Sequence, residues 1–223
     1  MITVRSLRHR QLTIGSLEIR PGLTSVIGPN GSGKTTLLRL CTGIDLPEAG
    51  TVLINNRSPR ELETGWVNEF PDRNILFGTV MDEVASPLRF RRVPCGETEE
   101  RVGRCLETCG IAGLRDRAVR ELSGGEKILV AFAAAIVHDP EVLILDECDS
   151  HLDTARAGTL QRLIRESAIP YVIRCTQQME VAAQSDQVLY LDSGRADRSG
   201  SPEEVFQGLA GTPFYPLSWR CLR

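Results

Sequence analysis

Short apolar stretches alternate along this chain with longer segments in which apolar residues recur every three or four positions. A short apolar stretch between turn-forming residues is typical of a strand, whereas the longer spacing is typical of a helix. On this basis, strands are predicted at residues 2–4, 12–19, 23–27, 51–54, 66–67, 142–146, 171–174 and 187–191. The alternation predicts an α/β fold with a mostly parallel sheet, because parallel strands need helical crossovers. The early connections are short, which predicts an antiparallel β part near the amino terminus.

Residues 71–120 have a different pattern. Val80 and Val84, and later Val102, recur at helical spacing, while prolines interrupt the run. We therefore predict a helical subdomain at about residues 71–120, inserted into a single nucleotide-binding domain that covers residues 1–223.

Two more helices are predicted from their composition and start signals. Residues 127–138 are mostly apolar, which is typical of a helix that lies against a sheet. The apolar run inside them, residues 128–137, reaches only about half the length of a membrane crossing. Near the end of the chain, Ser201, Pro202 and Glu204 form a helix start, with a serine cap and a proline at the first position.

Composition adds a few constraints. The chain is 41% hydrophobic and 25% charged, which is ordinary for a soluble globular protein, and its net charge of −3 argues against nucleic acid as a partner. The seven cysteines are scattered and odd in number, which fits a reducing compartment. Cys105 and Cys109 would share a helix face, but no further ligand is near in sequence, so we interpret them as small core residues.

Residues 28–35, here called the phosphate loop, read Gly-Pro-Asn-Gly-Ser-Gly-Lys-Thr and match the whole pattern G-x-x-x-x-G-K-[ST]. Glycines let successive backbone N–H groups turn toward phosphate oxygens, where a Cβ would clash. Lys34 supplies positive charge for the β- and γ-phosphates, and the Thr35 hydroxyl is a ligand for Mg²⁺. A helix predicted at Lys34–Cys41 would direct its N-terminus at the anion. The alternative, an ordinary glycine-rich turn, is disfavoured by the complete match.

An apolar strand predicted at residues 142–146 ends in two carboxylates, Asp146 and Glu147. A strand of this kind is buried on both faces, so polar groups emerge at its carboxyl end, where open α/β sheets bind ligands. Asp146 is placed to hold the magnesium shell, and Glu147 is placed to polarise an attacking water. The alternative is a strand that ends in two solvated acids.

Residues 122–126, here called the signature, read Leu-Ser-Gly-Gly-Glu. Ser123 and Glu126 have the spacing of a capping box at the start of the apolar helix. Capping alone does not explain two consecutive glycines, Gly124 and Gly125. Their bare N–H groups at a helix start are suited to a second anion site.

The order of these three motifs resembles that of the ATP-binding-cassette (ABC) ATPases, and the resemblance runs from about residue 2 to residue 208. Residues 150–153, Ser-His-Leu-Asp, resemble the D-loop of that family. The resemblance implies two subunits packed head to tail, so that the signature of one covers the ATP held by the phosphate loop of the other. ATP contacts are thereby implied for Gly28, Pro29, Asn30, Gly31, Ser32, Gly33, Lys34, Thr35, Thr36, Ser123, Gly124, Gly125 and Glu126.

Within the family, residues 68–72 and 77–85 are similar to the energy-coupling-factor importers of vitamins, cobalt and nickel. The partners implied are a second ABC ATPase subunit, in a homodimer or heterodimer, and a transmembrane transporter subunit that docks near residues 69–90. The location implied is peripheral, at the cytoplasmic face of the cell membrane.

Three residues that the family leads one to expect are missing. No glutamine lies between Gln11 and Gln161, so Glu69 takes the place of the Q-loop glutamine, where a carboxylate still suits Mg²⁺. No histidine follows His151, so Gln177 stands at the position of the switch histidine.

The third missing residue is the ring that usually stacks on adenine, since no aromatic residue precedes Trp66. His9 or a neighbouring arginine is the candidate replacement. The resemblance implies catalytic roles for Lys34, Glu147 and Gln177, and magnesium ligation by Thr35, Asp146 and Glu69.

The leading hypothesis is an ATP-binding subunit of an ABC transporter, which couples ATP binding and hydrolysis to substrate movement through a membrane partner. Gln177 can bond to a γ-phosphate but cannot carry the charge of an imidazolium, and losing one such donor typically costs roughly 10²–10³ in rate. Slow hydrolysis is therefore predicted. The alternative is a hydrolysis-impaired structural partner that completes the ATP site of a second, more complete ABC subunit. A soluble family member in repair or translation is disfavoured, because neither a long insertion nor a second cassette is evident.

Overall fold

The computed structural model describes residues 1–150 and 152–220, and their contacts divide the chain into two compact units. The first unit combines residues 1–62 with the chain from residue 170 onward, and the second unit is residues 63–169. The phosphate loop therefore belongs to the first unit, whereas the signature and the acidic strand end belong to the second.

Most of the described strands lie in the first unit. Among the described residues the strands are β1 (Ile2–His9), β2 (Leu12–Ile19), β3 (Gly22–Ile27), β4 (Ala49–Ile54), β5 (Thr64–Val67), β6 (Val142–Asp146), β7 (Tyr171–Cys175), β8 (Gln187–Asp192) and β9 (Arg195–Gly200). Of these, only β5 and β6 lie in the second unit.

Helices follow most of the later strands. They are α1 (Lys34–Cys41), α2 (Val80–Phe90), α3 (Cys95–Thr108), α4 (Gly124–Ile136), α5 (Thr154–Glu166), α6 (Met179–Ala182), α7 (Pro202–Gln207) and α8 (Leu217–Arg220). No helix within the described residues is long and apolar enough to cross a membrane.

The first unit contains two sheets. One is antiparallel with the order β2-β1-β4, and its hairpin register is set by the pairs Ile2↔Ile19 and His9↔Leu12. In the other, β3 lies between β7 and β8 and is parallel to both, while β9 adds an antiparallel edge beside β8. β3 is buried along nearly its whole length, and the phosphate loop leaves the sheet at the carboxyl end of this strand.

The second unit is built around α4. This helix contacts α2 and β5, and it is buried at every position from Ile128 to Ala133, as expected of a core helix rather than an amphipathic one. A Cβ on Gly65 of β5 would lie 2.2 Å from the Ala135 carbonyl oxygen, so glycine is required where helix and strand approach. β5 and β6 pair in parallel, from Thr64↔Val142 to Val67↔Leu145.

The predicted fold class is confirmed: parallel strands with helical crossovers, an antiparallel β part, and helices α2 and α3 inside residues 71–120. The prediction for β1 was too short, because an irregularity between Arg5 and Arg8, where Ser6 has a φ of +49°, interrupts the alternation of buried and exposed residues. β9 was missed, since its polar residues pair with β8 through their backbone. The single-domain assignment and the limits of the helical subdomain stay predictions.

Candidate functional site

The phosphate loop runs between β3 and α1 with three glycines in conformations that other residues rarely adopt. The φ angles are +144° at Gly28, +79° at Gly31 and +102° at Gly33. A Cβ on Gly28 would lie 2.0 Å from the Leu191 carbonyl oxygen, and one on Gly33 would lie 2.5 Å from Leu12 Cδ2. At these two positions both the backbone angle and the space require glycine.

Lys34 and Ser32 give this loop the chemistry of an anion site. Lys34 Nζ donates to the carbonyl oxygens of Gly28 (3.0 Å) and Pro29 (3.2 Å), so the buried side chain curls over the loop. Ser32 Oγ is buried and has no hydrogen-bond partner among the described residues. A buried polar atom of this kind calls for an explanation, and a phosphate oxygen is an acceptor that would satisfy it. The loop therefore fits a phosphate group.

Gln177 lies next to the phosphate loop in the first unit. It follows β7, and its Nε2 donates to Asn30 Oδ1 at 3.2 Å. Two predicted site residues that are far apart in sequence are thus brought together, while Thr35 and Thr36 follow Lys34 in the first turn of α1.

In the second unit, β6 places Asp146 and Glu147 where the buried part of the strand ends. Both are half-buried, and Glu147 has a left-handed backbone with φ of +52°. The turn is closed by Ser150, whose Oγ and N donate to the Glu147 carbonyl oxygen at 2.8 and 3.2 Å. A non-glycine residue in this region costs about 1 kcal/mol or more and is found preferentially at functional sites.

The signature forms the predicted capping box at the start of α4. Ser123 Oγ and Ser123 N both donate to Glu126 Oε2, at 2.7 and 2.8 Å, and Glu126 N donates back to Ser123 Oγ at 3.4 Å. These bonds from Ser123, aided by the charges of Arg156 and Arg117, hold the pKa of Glu126 below its ordinary value. Glu126 is therefore an ionised cap, and Gly124 is exposed at the helix start.

Arg156 on α5 lies against the signature, a contact that sequence reasoning missed. A Cβ on Gly125 would be 2.1 Å from Arg156 Cδ, so the second signature glycine leaves room for this side chain. Asp153 holds the arginine, because its Oδ2 accepts from Arg156 Nη1 at 2.7 Å while its Oδ1 caps α5. Asp153 is the last residue of the predicted D-loop, in which His151 lies outside the described residues.

The segment that carries Glu69 is held by side chains on both sides. Asn74 Oδ1 accepts from Asn68 N at 2.7 Å, and the Glu83 carboxylate accepts from the N–H groups of Leu76 and Phe77, each at 2.8 Å. Glu83 is buried on α2, so this helix organises the loop between it and β5. The anchoring role of Glu83 was not predicted.

Two further predictions concern His9 as a contact for adenine and the pair Cys105 and Cys109 as core residues. His9 is buried, with its ring nitrogens 3.7 Å from carboxylate oxygens of Asp45 and Glu48, so its position does not support stacking on adenine. Cys109 is buried on α3 and Cys105 is half-buried, with Cys105 Sγ donating to the Ala133 carbonyl oxygen at 3.5 Å. In the part of the chain that is described, no cluster of three or more histidine, cysteine, aspartate or glutamate residues is suited to a metal ion.

The comparisons with known proteins agree on one family. A family model described as "ABC transporter" matches residues 12–150. The energy-coupling factor transporter ATP-binding protein EcfA1 of Lacticaseibacillus paracasei is 34% identical over 216 residues, which cover 92% of this chain and 77% of EcfA1. The trehalose/maltose import ATP-binding protein MalK of Thermococcus litoralis is 33% identical over 212 residues, which cover 88% of this chain and only 57% of MalK.

A solved structure extends the similarity to the fold. The structure of cbiO1 from Clostridium perfringens, described as part of the ABC transporter complex cbiONQ, has a TM-score of 0.84 and 29% identity. The alignment covers 92% of this chain and 90% of cbiO1.

Proposed function

This chain belongs to the ABC transporter family and is most like its energy-coupling-factor type, and we propose that it is the ATP-binding subunit that couples ATP binding and hydrolysis to substrate movement through a membrane partner. The observation that carries the proposal is the phosphate loop, where buried Lys34 lies beside a glycine cradle and the buried Ser32 hydroxyl has no hydrogen-bond partner among the described residues. The family match runs through both units, which supports a single nucleotide-binding domain over residues 1–223.

ATP would be held mainly by its phosphates. The N–H groups of the phosphate loop and the N-terminus of α1 donate to the phosphate oxygens, and Lys34 neutralises charge on the β- and γ-phosphates. Thr35, Asp146 and Glu69 would hold Mg²⁺, since hydroxyl and carboxylate oxygens are the donors that suit this ion together with phosphate oxygens. When bound, the ion supplies charge neutralisation for the transferring phosphoryl group.

Hydrolysis would depend on Glu147 and Gln177. Glu147 accepts a proton from the attacking water, and Gln177 donates a hydrogen bond to the γ-phosphate. Because Gln177 carries no positive charge, we propose that turnover at this site is slow while binding is retained. The strained backbone at Glu147 supports a functional role for this carboxylate.

A second copy of the chain, or a related subunit, would complete the site. The N–H groups of Gly124 and Gly125 at the start of α4 are suited to the γ-phosphate of ATP bound to the partner. The membrane subunit would dock near residues 69–90, where Leu76 and Phe90 are 78% and 72% exposed. The protein would then lie peripherally at the cytoplasmic face of the membrane.

A hydrolysis-impaired structural partner is the second candidate function. It is favoured by Gln177 at the switch position, and it is disfavoured by the complete acidic pair at the end of β6. In that case the chain would lend its signature to the ATP site of a more complete subunit.

The decisive experiment uses Glu147→Gln to trap ATP and Lys34→Ala in the same background as its matched control. With saturating ATP and magnesium, solution scattering should show a dimer for Glu147→Gln, either of this chain alone or with a co-expressed second ATPase subunit. The double variant should remain monomeric, because it lacks the cation that holds the phosphates. If both variants stay monomeric with and without the second subunit, or if both dimerise equally, the proposed site is wrong.

A further inference from the structure

Two carbonyl groups of the phosphate loop are held from outside the loop by residues of distant turns. Gln11, in the turn between β1 and β2, donates from its Nε2 to the Gly31 carbonyl oxygen at 2.9 Å. Gly194, in the turn between β8 and β9, donates from its backbone N to the Ser32 carbonyl oxygen at 3.1 Å. Neither residue is part of the phosphate-loop pattern.

The two turns also hold each other. Thr13 N donates to the Gly194 carbonyl oxygen at 2.8 Å, and a Cβ on Gly194 would lie 1.9 Å from the Gln11 carbonyl oxygen. Gly194 has a φ of +78°, so the backbone angle and the close approach both require glycine. The β8–β9 turn is therefore packed directly on the β1–β2 turn.

The β1–β2 turn has its own anchor on the far side. It is a two-residue hairpin loop, since His9 pairs with Leu12, and Arg10 has a φ of +51°. The Arg10 backbone N donates to Glu48 Oε1 at 3.0 Å. The Gln11 side chain thus projects from a turn whose position is set before any ligand binds.

These contacts have a consequence for the N–H groups of the phosphate loop. In a trans peptide the C=O and the following N–H point in opposite directions. A Ser32 carbonyl fixed toward Gly194 therefore directs the Gly33 N–H away from Gly194. Likewise, the Gly31 carbonyl is fixed toward Gln11, so the Ser32 N–H points away from Gln11. This N–H donates to the Pro29 carbonyl oxygen at 3.1 Å, a bond that closes the loop.

We propose that Gln11 and Gly194 are positioning residues of the nucleotide site, which clamp the Gly31 and Ser32 carbonyls and so fix the shape of the phosphate loop and the direction of the Gly33 N–H for phosphate. A loop with three glycines would otherwise lose much conformational freedom on binding, and a clamp formed in advance removes part of that cost. The inference rests on the proposed function, because it assigns both residues to the same triphosphate site. Both residues serve the phosphate chain of the ligand and not the base.

The test compares Gln11→Met, which keeps the length of the side chain but cannot donate, with Gly194→Ala. Binding of ATP and of inorganic triphosphate is measured by calorimetry on the full chain. Each variant should raise the Kd of both ligands by the same factor, about tenfold for one hydrogen bond that orients a charged ligand site. Gln11→Met removes the donor to Gly31, whereas Gly194→Ala displaces the turn, because its Cβ would collide with the Gln11 carbonyl oxygen. In steady-state hydrolysis the KM should rise, while kcat at saturating ATP stays unchanged.

Matched controls separate the clamp from general effects of substitution. Gln207→Met changes an exposed glutamine at the end of α7, and Gly211→Ala changes a glycine with φ of +82° and open space around it. Both should bind ATP and triphosphate as the unchanged chain does. If Gly194→Ala fails to fold, Gln11→Met decides the matter.

The failure of this inference is distinguishable from failure of the proposed function. An unchanged Kd for both ligands in Gln11→Met would contradict the proposed clamp. So would weaker binding of ATP with unchanged binding of triphosphate, because that result would mean that Gln11 contacts the base. Lys34→Ala is measured alongside. Undiminished ATP binding by that variant would instead contradict the proposed function itself.

Discussion

Gln177, which we propose stands at the switch position, lies near the phosphate loop but has no charge to offer a ligand there. Its Nε2 reaches Asn30 Oδ1 of the phosphate loop, so residue 177 is near enough to serve the same ligand. An amide offers a hydrogen bond there, but it offers no charge at any pH. The position could be inferred from the sequence, whereas the contact with Asn30 required the structure.

Replacing Gln177 by histidine should increase the rate of ATP hydrolysis. The expected gain is about tenfold or more, because an imidazolium adds charge stabilisation where negative charge develops in the transition state. The measurement is kcat at saturating ATP, with Gln178→His as the control for adding a histidine one position away. A kcat that stays at the level of the unchanged chain would mean that Gln177 does not limit turnover.

The two capping boxes show that identical local chemistry serves different purposes in different helices. Ser123 with Glu126 starts α4, and Ser201 with Glu204 starts α7, and both boxes have the bonds in both directions. Each was predicted from its spacing, because a cap depends only on residues three positions apart. What differs is the surroundings, since α4 begins with two glycines, and the second of them, Gly125, packs beside Arg156.

A pair of alanine variants separates capping from function. Ser123→Ala and Ser201→Ala should each lower the free energy of unfolding by about 1 kcal/mol, since each removes one helix cap. Only Ser123→Ala should also lower ATP hydrolysis, because its helix start belongs to the proposed nucleotide site. Urea denaturation and steady-state hydrolysis measure the two effects. Equal activity losses in both variants would argue against a special role for the signature.

Stability of the whole chain should depend on pH through His138. Burial lowers the pKa of this side chain, and the charge of Arg91 adds to the shift, while the Thr64 carbonyl and the acids Glu63 and Asp139 oppose it. The pKa in the folded state therefore lies below the ordinary value of 6.5. Since the unfolded chain then binds the proton more readily, the stabilising contribution is complete above pH 6.5 and is lost as the pH falls through the folded pKa.

His138→Gln should remove this part of the acid sensitivity. Denaturant titrations from about pH 8 to about pH 5 would measure the free energy of unfolding of both proteins. We expect the unchanged chain to lose more stability than the variant below pH 6.5. Parallel curves for the two proteins would contradict the assignment to His138.

The sequence was sufficient wherever the structure depends on neighbouring residues. The glycines of the phosphate loop, the apolar strand that ends in Asp146, and the caps of α4 and α7 all follow from backbone angles, periodicity or contacts a few positions apart. The sequence did not predict β9, because this polar edge strand forms through backbone pairing with β8 and has no apolar pattern.

Only the tertiary structure established the contacts between distant segments. Gln11 and Gly194 meet the phosphate loop, and Arg156 meets Gly125, although no motif joins these positions. Such contacts depend on strand register and on which turns reach the same end of a sheet, and these result from burial of the whole core. Local sequence preference carries no information about that choice, because it acts over only a few residues.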